Sequence, residues 1–224
     1  MSTIIASTLI DRASIILQDA TNIRWPRPEL LNWLNDGERE IVLHKPNAYI
    51  KHVPVALVLG SKQTLPVDAV SLIDIPRNVN GPAVRVVSRE ILDAQSPGWH
   101  TMAVAAVIKH YMYSPLDPRT FYVYPPATTT PAAVNVDLVY AASPADITET
   151  VPILIDDVYA TALINYILYR AYSKDAEYAA NAAQATAYYG QFMTLLGAKV
   201  TAETVTSPMQ ALGGFNPNIP ATQK

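Results

Sequence analysis

Cysteine is absent from the 224 residues, which removes both disulfides and thiolate metal sites. Charge is scarce too: Asp, Glu, Lys and Arg make up 16 % of the chain, against roughly 25 % in an average globular domain. Glycine is rare, with 8 residues against 18 prolines, the reverse of the usual order. The basic residues form no block, and a formal net charge of −3 argues against nucleic acid as the main partner. No run is long and clean enough to span a bilayer; the most apolar, Val151 to Tyr169, is interrupted by Asp156 and Asp157. The start, Met1-Ser2-Thr3-Ile4-Ile5, lacks the basic segment and cleavage pattern of a secretion signal. With no cysteine, a cytoplasmic origin fits.

A folded chain so poor in charge has either a Thr/Ser/Asn-rich surface or surface covered by something other than water. Subunit interfaces are depleted of charge in this way. The chain is long enough to bury a real core as one large domain or two small ones.

What is present is organised around Ile153 to Gly197, which reads as an αα-hairpin. Tyr178, Ala182, Ala185, Tyr189, Phe192 and Leu196 recur at steps of four, three, four, three and four, the spacing of a packed helical seam. Small and large residues alternate along it, so alanines admit a neighbouring backbone and rings fill the gaps beside them. Ile155, Val158, Tyr159, Ala162, Tyr166 and Tyr169 give a matching stripe that ends at Tyr172. Ser173-Lys174-Asp175 supplies the cap of the second helix, and Gly197 stands where a left-handed C-terminal cap belongs.

Residues 3 to 20 predict a first helix, with Ile5, Leu9, Ala13 and Ile16 along one side. A second helix starts near Pro28 and ends at Lys45-Pro46; Leu30, Leu34, Gly37 and Ile41 share a face, and Gly37 marks a close crossing. Asp36, Glu38, Arg39 and Glu40 cluster around its other side, as a solvated or subunit-facing surface. The period then shortens to two. Val53, Val55, Leu57 and Leu59 alternate, and with a turn at Gly60-Ser61 and the stretch Gln63 to Pro66 they predict a hairpin. Further strands fall at Leu72–Ile75, Val84–Val87, Ala103–Tyr113, Phe121–Tyr124 and Val134–Tyr140, with a turn at Asn80-Gly81 and a short helix from Ser88 through Asp93. Pro125 to Pro131 predicts an exposed loop. After Gly197 the periodicity is lost, leaving a polar tail that is either disordered or an arm that folds against a partner.

Strands segregated from flanking helices define an α+β chain. The expected architecture is a helical bundle built from N- and C-terminal helix pairs, with an inserted antiparallel β domain and an extended C-terminal arm. The expected boundaries are 1–50, 51–150, 151–198 and 199–224.

Chemistry is thin. His44, His52, His100 and His110 lack metal-ligand spacing, and there is no phosphate-cradling glycine loop or nucleophile elbow. Asp156-Asp157 is explained by the helix dipole. Tyr111, Tyr113, Tyr122 and Tyr124 fit cross-strand pairs or an interface better than a stacking platform. No cofactor, metal site or catalytic residue is predicted.

Several blocks together resemble tailed-phage head-to-tail connector (adaptor) proteins. Arg24 to Ile41 is similar to the second-helix signature of that family, and Gln63-Thr64-Leu65-Pro66, Asp117 to Pro126 and Ala171 to Asp175 resemble further blocks of it. The likeness runs over roughly residues 8 to 198 and departs at Arg27, where the family often has a small capping residue. It implies a structural virion protein in the neck, assembled in the host cytoplasm: a homo-oligomeric ring, a dodecamer, beneath the portal protein. Such a ring extends the channel, lets DNA pass without specific binding, docks a tail or nozzle protein, and needs no membrane. It also implies subunit-interface candidates Asp36, Glu38, Arg39 and Glu40, and portal-binding arm candidates Met209, Leu212, Phe215 and Ile219. Alternatives from other classes are a tail or neck completion protein and a carbohydrate-binding module built on the tyrosine strands.

Overall fold

The structure, a computed structural model, describes residues 2–175, 177 and 179–206. It is α+β, with helices α1 (Ala6–Ile16), α2 (Arg27–His44), α3 (Arg89–Gln95), α4 (Ala160–Lys174) and α5 (Ala179–Thr206). The strands are β1 (Ile50–Ala56), β2 (Gly60–Thr64), β3 (Ala69–Asn78), β4 (Arg85–Val86), β5 (His110–Tyr113), β6 (Thr120–Ala127) and β7 (Asn135–Ala142). The chain divides into two compact units. Unit 1 holds residues 1–37, 146–153 and 157–224; unit 2 holds residues 38–145 and 154–156.

Unit 1 is helical. α4 packs along α5, and α1 packs on α4. Along the hairpin, Tyr166 meets Phe192 with ring centroids 5.3 Å apart, Tyr169 meets Tyr189 at 4.9 Å, and Tyr172 stacks on Tyr188 at 5.7 Å. Ala185, Phe192 and Leu196 are buried as the seam requires, while Ala182 is exposed. A Cβ placed on Gly37 would lie 2.9 Å from Tyr166 Cδ1 and 3.2 Å from Leu163 Cδ2, so only glycine admits this approach of α2 to α4. The corner between α1 and α2 is held by Asp19, whose carboxylate accepts the backbone N–H groups of Ile23, Arg24 and Trp25. Arg27 opens α2 and is used as a tie: its guanidinium bonds Asp11 and Glu149. Asp157 gathers the N-terminal residues, accepting from the Ser2 and Thr3 hydroxyls and the Thr3 and Ile4 amides. Those bonds pull its pKa down to about 2. This acid is therefore a tether as well as a helix-start charge.

Unit 2 sets two sheets around one core. The three-stranded sheet has the order β1-β7-β3, all antiparallel; the four-stranded sheet has the order β2-β6-β5-β4, with β4 parallel to β5. Leu72, Ile75, Val136 and Leu138 from the first sheet and Phe121, Val123 and Tyr111 from the second bury their side chains in the shared core. The second sheet is thus mixed, not purely antiparallel.

Several sequence expectations change here. The hairpin expected over residues 53–66 does not form, because β1 pairs with β7 and β2 with β6. Gln63 explains how the chain turns between sheets. Its side chain, only 2 % exposed, accepts from Val58 N and donates to Val58 O and Gly60 O, so the corner needs no cross-strand partner. The strand expected from Ala103 begins only at His110; upstream, Ala105 makes a single bridge to Ala127. The expected loop at Pro125 is strand as far as Ala127, and residues 126–128 are buried. Helix α1 is shorter than residues 3–20. Ser173 and Lys174 close α4 rather than cap α5, and Val158 is exposed ahead of α4. Gly197 does not terminate α5, which continues to Thr206 with open space beside the glycine.

Candidate assembly surfaces

Three of the four histidines are engaged structurally. His44 lies 3.3 Å from Glu40 on α2, His110 stacks on Tyr124, and His52 is exposed on β1. His100 stacks on Trp99 and pairs through Nδ1 with Ser61 Oγ at 2.8 Å. Asp93 stands near that pair and accepts the Trp99 indole N–H. This Ser–His–Asp grouping was not legible in the sequence, because its members lie on three separate elements. It is no acyl-transfer site: Ser61 is 7 % exposed, and a nucleophile must reach its substrate. Among the described residues no three His, Asp or Glu side chains gather as a metal site.

The four tyrosines of β5 and β6 are committed as well. Tyr111 donates to Asp74 at 2.9 Å, and burial together with that carboxylate pushes its phenol pKa up. Tyr113 donates to Pro118 O. Tyr122 and Tyr124 pack edgewise on buried Trp99, and the Arg89 guanidinium sits 5.7 Å from the Tyr122 ring centroid. An open cleft of about 780 Å³ lies beside them, lined among others by Val86, Arg89, Met112, Leu116 and Tyr122. With Arg89 against Tyr122, that ring is not presented as a bare stacking face for a sugar.

The charged group on α2 is not one surface. Asp36, Arg39 and Glu40 are half-buried, but Glu38 is 0 % exposed and points its carboxylate at the backbone of Leu154 and Ile155. As a subunit-facing residue Glu38 is therefore corrected: its carboxylate is buried against the backbone of Leu154 and Ile155. The spacing held the signal, since Glu38 stands four residues after Leu34 and three before Ile41, on the apolar face itself.

A second exposed face lies on α5. Opposite the aromatic seam, Ala183, Ala187, Gly190 and Thr194 step outward at intervals of four, three and four, all exposed. A Cβ on Gly190 would meet nothing within 4 Å, and Thr194 turns its hydroxyl back to Gly190 O at 2.8 Å. The face is small, uncharged and low in free polar groups. The arm candidates Met209, Leu212, Phe215 and Ile219 lie outside the described residues.

No curated protein matches the chain. The family model of the SU10 adaptor protein matches residues 4–212, nearly the whole length, and so the chain belongs to this phage head-to-tail adaptor family.

Proposed function

We propose that the chain is a virion subunit that assembles with copies of itself into a dodecameric ring beneath the portal, extends the DNA channel and docks the tail. The observation that carries this reading is the family match across residues 4–212. Three features support it. The chain is poor in charge, as surfaces that meet other subunits are. The outward stripe of α5 is small enough for a neighbouring helix to approach closely. A net charge of −3 suits a wall past which DNA slides without being held. Asp36, Arg39 and Glu40 remain candidates for a neighbour's contact, and Met209, Leu212, Phe215 and Ile219 for an arm on the portal. No catalytic step belongs to this role.

Light scattering on the purified chain, alone and mixed with portal, tests it. A ring-sized species in either sample is expected; a monomer that ignores portal under all conditions overturns the proposal. Gly190→Leu is expected to leave the monomer's circular dichroism unchanged and to weaken assembly. Removing residues 207–224 is expected to weaken portal attachment and spare the fold.

A further inference from the structure

After residues 38–145 the chain returns to unit 2 for three residues: Ile153 and Asp157 belong to unit 1, whereas Leu154–Asp156 belong to unit 2. Both flanks are tied in unit 1, Ile153 by its N–H to Ile4 O at 3.0 Å and Asp157 by its bonds to residues 2–4. In unit 2 the three-residue segment is held by Glu38. One oxygen, Oε1, accepts the Leu154 amide at 2.7 Å and the Ile155 amide at 3.5 Å. The other, Oε2, is buried with no hydrogen-bond partner among the described residues.

That arrangement is unbalanced for a permanent charge. A buried carboxylate needs both oxygens satisfied to offset the loss of water, and here one is bare. A neutral acid fits better, because its carbonyl oxygen still accepts the Leu154 amide and little charge is left to desolvate. We propose that Glu38 is a protonation-controlled clip for Leu154–Asp156, seating the segment as the neutral acid and loosening it as the carboxylate ionises.

The surroundings agree. Burial raises the pKa of Glu38 from 4.5 to about 7, against the opposing pull of the Leu154 and Ile155 amides and of Arg39. Arg39, its neighbour on α2, is half-buried; Lys45, just past the end of α2, is buried; Asp156, at the end of the clipped segment, is exposed. Because the seated form has the raised pKa, its stability is full below 4.5 and is lost as pH rises toward 7, after which nothing further is lost. The clip does not depend on whether the chain forms a ring.

Amide hydrogen exchange on the full chain between pH 5 and 8.5 tests this, read at Leu154 and Ile155 after correction for intrinsic rates. The opening equilibrium is expected to rise about tenfold per pH unit and to level off near neutrality. Leu9 and Ile10, buried in α1, serve as the reference and are expected to stay flat. In Glu38→Gln, which keeps the shape and the acceptor without the titration, the profile at Leu154 and Ile155 is expected to be flat. A flat wild-type profile, or the same slope in Glu38→Gln, overturns the proposal. If the variant does not fold, the wild-type profile decides alone: a rise that levels near pH 7 supports the clip, and any other shape overturns it.

Discussion

Both units carry ion pairs at their rim, and they differ in how often buried polar side chains clamp backbone. In unit 1 the pairs are Arg24 with Asp175, Arg27 with Asp11 and Glu149, and Lys174 with Glu29. Unit 2 has its own, among them Lys51 with Asp68 and Arg77 with Asp137, and adds buried side chains that clamp backbone at its corners. Asn78, 4 % exposed, donates to Pro82 O and Ile108 O and accepts from Ile108 N. Gln63 does the same work at the corner before β2. The difference follows from what each element satisfies by itself. A helix pairs its own backbone except at its ends, while strands that change sheets leave unpaired groups at every corner. Unit 1 obeys the same rule where it is irregular: buried Asn35 takes both the N–H and the C=O of Ile147, which lies in no helix.

Substitutions can sharpen or break this contrast. Phe192→Ala, at the centre of the α4–α5 seam, is expected to cost about 3–5 kcal/mol in chemical denaturation; a loss below about 1 kcal/mol means the rings are not core. Asn78→Ala is expected to cost about 3 kcal/mol, because it strands the buried N–H and C=O of Ile108. A near-neutral result there would remove the clamp argument for unit 2. Gly37→Ala sets better helix propensity against a clash with Tyr166, and the clash is expected to win by about 1–2 kcal/mol. The smallest effect belongs to the rim. Lys174→Ala breaks an exposed pair with Glu29 and is expected to cost less than about 1 kcal/mol, falling further in high salt.

The same division decides what could be read in advance. The helices were legible because their partners are local: the four-three rhythm located the α4–α5 seam, and the apolar face of α2 pointed to the crossing at Gly37. Strand identities were legible too, as the alternation in residues 53–57 and 134–140 reflects true strands. Strand partners were not. Residues 53 to 66 look like a hairpin by alternation and turn chemistry, and only the tertiary pairing to β6 and β7 separates the two strands. Gly197 misled because a glycine can end a helix or simply sit exposed within one, and its neighbours on α5 decide which. Glu38 was misread by its charge, though its spacing placed it among Leu34 and Ile41.

Helix α5 has 28 residues, about 42 Å, and α4 has 15, about 22 Å. The shorter helix can flank little more than half of the longer one, and α5 still presents exposed positions at Gly197 and Ala198. The exposed turns of α5 up to Ala198 are a natural gauge of company: the slowing of their amide exchange on mixing with other copies or with portal would register contact without any label.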